Sequence, residues 1–408
     1  MNSSKLLIGL IVAVLLIAGG YYLYRSAVES PAPWLIKLFT KTDEPPPLPA
    51  GDIAPLNVPE GFVATVYARG IDGARVMTRD QNGTMLVSQT SSGKVVALPD
   101  TNGDGKSDET ITVLENLKQP HGITVICSET GNPPCTLYVA ETGALKAYQY
   151  DADTHTATFV KDLATFPTGR GHFTRTLLQH PDGRLLVSVG SSCNVCNEDN
   201  AMRATVQALD LATGAISTFA SGLRNSVFLA VHPVTGEIWG TENGRDIIGD
   251  DIPPDEINII REGQNYGWPV CYGKNVYDTD FDARDDKSCT GLTPSHIDLQ
   301  AHSAALGLGF VPEEGWPESW HHDLIVAFHG SWNRSEPTGY KLVRINLDPQ
   351  GAYQGIEDFI TGFMPEGGDE DSAIGRPVGI MVQPGGTLYV SDDRAGAIYK
   401  ISRTEIAM

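Results

Sequence analysis

The 408-residue chain is 41% hydrophobic, enough to build a sizeable core and too apolar for a disordered protein. Its 50 acidic side chains against 29 basic ones give a net charge of −21, which repels phosphate backbones and excludes nucleic acid as a partner. The 43 glycines and 26 prolines show no triplet period, so collagen is excluded and a turn-rich β architecture is expected over long helices.

Residues 6–24 carry no charge and are rich in Leu, Ile, Val and Ala, a run long enough to cross a bilayer as a helix. Residues 1–30 therefore read as an N-terminal transmembrane anchor or signal helix. The uncleaved anchor is preferred, because the run exceeds a signal peptide's apolar core and no small-x-small cleavage site follows Tyr24. Lys5 and Arg25 flank it almost symmetrically and fix orientation only weakly. Residues 31–57, with Pro45-Pro46-Pro47, read as an extended linker, and residues 58–408 as the folded domain.

Six cysteines fall into three local pairs, Cys127 with Cys135, Cys193 with Cys196 and Cys271 with Cys289. An even, locally paired set implies disulfides and an oxidising, periplasmic or other extracytoplasmic compartment, with residues 6–24 as the tether to the inner membrane. Cys193-Asn194-Val195-Cys196 is followed by Asn197 rather than the histidine of a c-type haem site, and its surroundings lack the βαβ pattern of a thiol oxidoreductase.

Beyond the linker one pattern returns six times: a glycine or polar turn followed by a short β-rich run. The runs are Met85-Leu86-Val87-Ser88, Leu137-Tyr138-Val139-Ala140, Leu185-Leu186-Val187-Ser188, Ile238-Trp239-Gly240-Thr241, Leu324-Ile325-Val326-Ala327 and Leu388-Tyr389-Val390-Ser391. Six repeats of about four strands predict an all-β, six-bladed propeller. Phe62-Val63-Ala64-Thr65-Val66-Tyr67 precedes the first repeat and is expected to close the ring by joining the last blade. The longest interval between repeats holds residues 246–258 and the acidic stretch 278–286, an insertion of the kind that carries function.

In a propeller, polar residues entering the innermost strands converge on one mouth of the channel. His121, His172, Arg224 and Arg376 precede Gly131, Gly183, Gly236 and Gly386 by 10, 11, 12 and 10 residues, each glycine marking the turn that leaves an inner strand. Four blades thus offer two histidines and two arginines to one place. Such a set suits an anionic ligand beside a general base, since arginine grips carboxylates and a neutral imidazole takes a proton. Tyr266-Gly267-Trp268-Pro269 places two aromatics that either stack on a flat ring or sugar or fill the core. Asp100, Asn102, Asp104 and Asp108 alternate along a glycine-containing loop like the first half of an EF-hand, but Ile111 stands where the bidentate glutamate belongs. A calcium turn and a metal-free acidic hairpin both remain open for it.

Together the motifs resemble the pyrroloquinoline quinone (PQQ) dependent soluble sugar dehydrogenases, most of all their sorbosone and pyranose dehydrogenase branch. The resemblance spans residues 58–401. It rests on Gly171-His172-Phe173-Thr174-Arg175, Gly222-Leu223-Arg224-Asn225, Glu242-Asn243-Gly244-Arg245, Asp255-Glu256-Ile257-Asn258 and Asn265-Tyr266-Gly267-Trp268-Pro269, in that order. It implies a propeller whose mouth holds PQQ and Ca2+ and oxidises the anomeric or aldehyde-hydrate carbon of a sugar. Electrons would pass to an external acceptor, a quinone or a cytochrome. On that reading His172 takes the substrate's hydroxyl proton, and Arg224 and Asn225 polarise the quinone oxygen. The backbone carbonyls of Gly244 and Arg245 bind the calcium. His121, Asn243, Arg376 and Arg334 contact the cofactor, which Tyr266 and Trp268 flank.

The chain departs from the glucose-oxidising members in two places. Pro377 and Val378 follow Arg376 where a second arginine is common, and residues 329–334 replace a lysine segment. Asn243 also stands where a glutamine is frequent. Two other classes compete: a calcium-dependent lactonase, which needs metal-binding carboxylates in the channel, and a non-catalytic binding propeller, which needs no base beside two donors.

Overall fold

Each repeat read in the sequence is the second strand of a four-stranded antiparallel sheet: Met85–Gln89, Cys135–Glu141, Leu185–Val189, Ile238–Glu242, Leu324–Phe328 and Thr387–Asp392. The computed structural model describes residue 48 and residues 51–127, 135–282 and 288–404. Within them six such sheets form the blades of a propeller, and a small hairpin of Cys271–Tyr272 with Val276–Tyr277 stands apart. The second strands are the legible ones because neighbouring blades cover both their faces. Four of the six are buried at every residue, so their sequences run continuously apolar rather than alternating.

The innermost strands are Ala74–Arg79, Ile123–Ile126, Leu177–Gln179, Leu229–Val231, Ala305–Phe310 and Pro377–Gln383, and each touches the next around the ring. Several are short or bulged at their start, which hides them from a periodicity reading. A repeated device holds those starts. The hydroxyls of Ser88, Ser188, Ser391 and Thr241, each near the end of a second strand, accept the backbone N–H of Val76, Thr176, Gly379 and Phe228 at 2.8–3.3 Å. The hydroxyl that closes these repeats therefore fixes the loop entering the channel, where the functional side chains sit.

Phe62–Arg69 pairs antiparallel with Ala397–Arg403 as the outermost strand of the last blade, which closes the ring as expected. Trp320 stacks on Phe62 at 5.4 Å, and Trp316 and Phe359 close around it, so the joint has its own apolar plug. All three predicted disulfides are present: Cys127–Cys135, Cys193–Cys196 and Cys271–Cys289. No helix among the described residues is long and apolar enough to cross a membrane. The run 6–24 and Gly131 lie outside the described residues.

Candidate active site

His172 is half-buried beside the third inner strand, and its tautomer follows from its partners. Nδ1 lies 3.0 Å from the Ser191 hydroxyl and 3.2 Å from the Ser191 carbonyl. That hydroxyl donates to the carbonyl of Cys193 at 2.6 Å, so both Ser191 oxygens facing the imidazole are acceptors. Nδ1 must carry the proton, which leaves Nε2 as the basic nitrogen. Burial, and after it the charge of Arg224, depresses the imidazole pKa well below 6.5 and keeps it neutral at pH 7.

Arg224 is clamped from three directions. Its Nε and one terminal nitrogen donate to the carbonyl and side-chain oxygens of Asn194, both at 2.8 Å. The same nitrogen pairs with Asp246 at 2.9 Å, and the other reaches the Asn243 carbonyl at 3.2 Å. Asn194, inside the Cys193–Cys196 loop, also receives the backbone N–H of Asp246 at 2.8 Å and donates to the Asp246 carbonyl at 3.0 Å. The disulfide loop thus positions both His172, through Ser191, and Arg224, through Asn194.

Asn225 is fixed by Glu242, whose two oxygens accept the Asn225 backbone N–H and the Ser226 hydroxyl, each at 2.6 Å. Its side-chain amide donates to Asn243 at 3.2 Å, while its Oδ1 is buried without a hydrogen-bond partner. Gly190 closes against this pair: a Cβ there would lie 2.6 Å from His172 Cβ and 2.8 Å from Asn225 Oδ1. Gly244 donates to Asp255 at 3.0 Å and packs against Pro253 and Pro254. Burial pushes Asp255 up to about 6 and, with Glu256 next in effect, Glu242 up to about 8.

His172, Arg224, Asn225, Asn243 and Gly244 line one open cavity of about 120 Å³, completed by Asp246, Asp255, His302, Ala304 and Trp332. The other sequence candidates fall elsewhere. His121 is fully buried below, its ring 5.5 Å from Phe228 and its Nδ1 3.2 Å from the Thr176 hydroxyl. Arg376 donates to the backbone carbonyls of His329 and Gly330 and adjoins a chain in which Asp393 joins His329 at 3.0 Å and Arg75 at 2.6 Å. Burial and then Arg376 lower His329 to about 4. Burial raises Asp393, but His329 and Arg75 outweigh it and hold the carboxyl below its usual range.

The four register residues, expected in one place, are therefore found in different surroundings. His172 and Arg224 line the cavity, and His121 and Arg376 lie outside its lining. Arg334 also lies outside that lining, its guanidinium donating to Asp250, Asp251, Ala301 and Glu336. Tyr266 is a core residue, 5% exposed, whose hydroxyl receives the Arg261 N–H and donates to the Ile259 carbonyl. Trp268 is half-buried and shares with Tyr266 a narrow cleft behind Arg224 and Gly244. The Arg245 side chain is also buried, paired with Asp278 of the insertion at 2.7 Å.

In the loop 100–108 the side-chain oxygens turn inward on their own loop. Asp108 accepts from Thr101 and Asn102, Asn102 from Asp104, Asp104 from Lys106, and Asp100 Oδ2 from Gly105. These bonds hold the hairpin turn, and Asp100 Oδ1 is buried without a partner. Sequence reasoning missed Ser191, Asn194, Asp246, Asp255, His302, Trp332 and Asn333. Most sat inside or beside segments already singled out for another residue, whereas His302 carries no motif signal.

The TrAA12-like family model matches residues 56–404, and the chain belongs to that family. An uncharacterized protein of Borreliella burgdorferi is 30% identical over 361 residues, covering 85% of this chain and 90% of that protein. The pyrroloquinoline quinone-dependent sugar dehydrogenase of Hypocrea jecorina is 24% identical over 399 residues, covering 85% and 89%. The pyrroloquinoline quinone-dependent pyranose dehydrogenase of Coprinopsis cinerea is 26% identical over 416 residues, with 85% of this chain matching 54% of that one. Among solved structures, a Trichoderma reesei Carbohydrate-Active Enzymes Family AA12 protein superimposes with a TM-score of 0.74 at 23% identity, covering 90% of this chain and all of that one. The PQQ domain of the Coprinopsis cinerea pyranose dehydrogenase gives 0.72 at 23% identity over 88% and 98%. These two likenesses show the same fold.

Proposed function

We propose that the chain is a PQQ- and calcium-dependent dehydrogenase that oxidises the hemiacetal or aldehyde-hydrate carbon of an aldose, sorbosone or related sugar. The carrying observation is the His172 imidazole, whose Nδ1 is committed to Ser191 while a basic Nε2 remains in a cavity shared with Arg224 and Asn225. A binding module has no use for a neutral base held in one tautomer beside fixed donors.

The residues present fit both absent groups. The buried Asn225 Oδ1 lacks a partner within the protein, and the cavity's Asp246 and Asp255 supply the oxygen donors that suit a hard cation. Arg224, Asn225 and Asn243 would hold the quinone, and the Gly244–Arg245 backbone with neighbouring carboxylates would hold calcium. When bound, the quinone supplies the hydride acceptor.

His172 accepts the substrate's hydroxyl proton at Nε2, and the resulting imidazolium keeps its orientation through Nδ1–H to Ser191. Asn194 and Asp246 fix the Arg224 guanidinium before substrate arrives, so its field needs no reorganisation.

Three disulfides support an oxidising compartment, and with the run 6–24 they favour an extracytoplasmic enzyme tethered to the membrane that passes electrons to an external quinone or cytochrome. The test is to titrate the protein with PQQ in the presence of calcium, following absorbance, and then to assay dye reduction with aldoses and sorbosone. Saturable PQQ binding with sugar-dependent reduction, lowered roughly 10²- to 10⁴-fold in His172→Ala, is the expected result. Absence of PQQ binding would return the weight to a lactonase or a binding propeller.

A further inference from the structure

Trp332 is 45% exposed and lines the same cavity as His172, Asn243 and Asp246. It is the only exposed tryptophan among the described residues. A lone exposed apolar side chain is ordinary on a protein surface, so exposure alone says nothing. What distinguishes Trp332 is that both its neighbours are pinned. Ser331 is 2% exposed, its N–H donates to the Thr338 carbonyl at 2.8 Å, its hydroxyl accepts the Thr338 N–H at 2.9 Å, and its carbonyl accepts the Tyr340 hydroxyl at 2.7 Å. Asn333 donates to Asp246 at 2.9 Å, and its own Oδ1 is buried without a partner. One residue earlier, Gly330 adopts a φ of +113°, and a Cβ there would strike the Tyr340 ring at 2.5 Å. The segment anchors the chain on both sides of a partly bare indole that lines a polar cavity together with a base and a carboxylate.

We infer that Trp332 is the residue that selects a pyranose ring. The apolar C–H face of the sugar lies against the indole while its hydroxyls face the polar side of the cavity, which brings the anomeric hydroxyl to His172. This role rests on the sugar-oxidising reading above and assigns to one side chain the preference for a closed six-membered ring with a flat apolar face over an open-chain aldehyde. It also moves the stacking platform from Tyr266 and Trp268, which are buried or half-buried, to a residue that is open.

The test compares Trp332→Ala and Trp332→Phe with the parent holoenzyme. Calorimetry with 1,5-anhydroglucitol, a pyranose that lacks the anomeric hydroxyl and is not oxidised at that carbon, reads ring binding apart from turnover. The expected result is about tenfold weaker binding in Trp332→Ala, equivalent to about 1.4 kcal/mol, with most of it regained in Trp332→Phe. KM for aldopyranoses rises in parallel, kcat/KM for glyceraldehyde stays unchanged, and PQQ affinity stays unchanged. Parent-like ring binding in Trp332→Ala overturns the inference, and so does a loss of PQQ affinity, which would make the indole a cofactor contact. If the parent binds no PQQ, the dehydrogenase reading fails by itself. Binding of 1,5-anhydroglucitol to the cofactor-free protein, lost in Trp332→Ala, still upholds the platform; equal binding by parent and variant sinks it.

Discussion

At the scale of single residues, His172 is a base prepared by its surroundings. Its depressed pKa keeps Nε2 free to well below the ordinary imidazole value, so the acidic fall in kcat/KM should lie well under 6.5. Arg224→Gln removes the second-largest cause of the depression and should move that fall upward toward 6.5, whatever it does to the maximal rate; a pH profile of both proteins checks it. An unmoved profile would mean that Arg224 does not act on the imidazole. Gly190 makes a steric prediction. With a Cβ 2.6 Å from His172 and 2.8 Å from Asn225 Oδ1, Gly190→Ala should displace both and lower kcat sharply, at a stability cost of about 1–3 kcal/mol by thermal melting. Asp392 carries a third. Burial raises its carboxyl to about 7, so the native state holds a proton that the unfolded chain releases near 3.8. Its contribution is complete below the unfolded value and is lost as pH rises through the native one. Melting temperature should therefore fall between pH 4 and 7 in part through this group, and Asp392→Asn should flatten that fall.

At the scale of elements, the Cys193–Cys196 loop joins the base to its arginine partner. Ser191 orients His172, Asn194 holds Arg224 and Asp246, and the disulfide closes the turn between them. Replacing both cysteines by serine should lower kcat more than it lowers the melting temperature, which paired kinetics and calorimetry would read. An equal loss of both would reduce the loop to a structural staple. The same loop shows how far the sequence was legible. Cysteine pairing and the absent haem histidine could be read directly, but Asn194 acts through a contact to Arg224, 30 residues away, that no spacing announces. Register counting correctly put His121, His172, Arg224 and Arg376 at the entries to inner strands. It could not say which face of the ring each side chain would meet. His121 meets the buried Thr176 hydroxyl, and Arg376 the carbonyls of His329 and Gly330, contacts that no spacing announces.

At the scale of the whole molecule, six apolar second strands told the blade number, since strands covered on both faces advertise themselves in sequence. The inner strands, short and bulged, did not. Ring closure depends on Phe62–Arg69 joining Ala397–Arg403 across the full length of the propeller. Truncation to residue 70 should expose that edge and turn a single cooperative melt into an early, aggregation-prone transition, seen by calorimetry and light scattering. The proposed activity is removal of hydrogen from a sugar carbon beside His172. Anaerobic mixing of PQQ- and calcium-loaded protein with an aldopyranose deuterated at its anomeric carbon tests it most directly. One equivalent of quinone reduced per equivalent of lactone formed, more slowly than with the undeuterated sugar and hardly at all in His172→Ala, is the predicted result. A quinone spectrum left unchanged by every aldose and by sorbosone, in protein shown to hold PQQ, would contradict it.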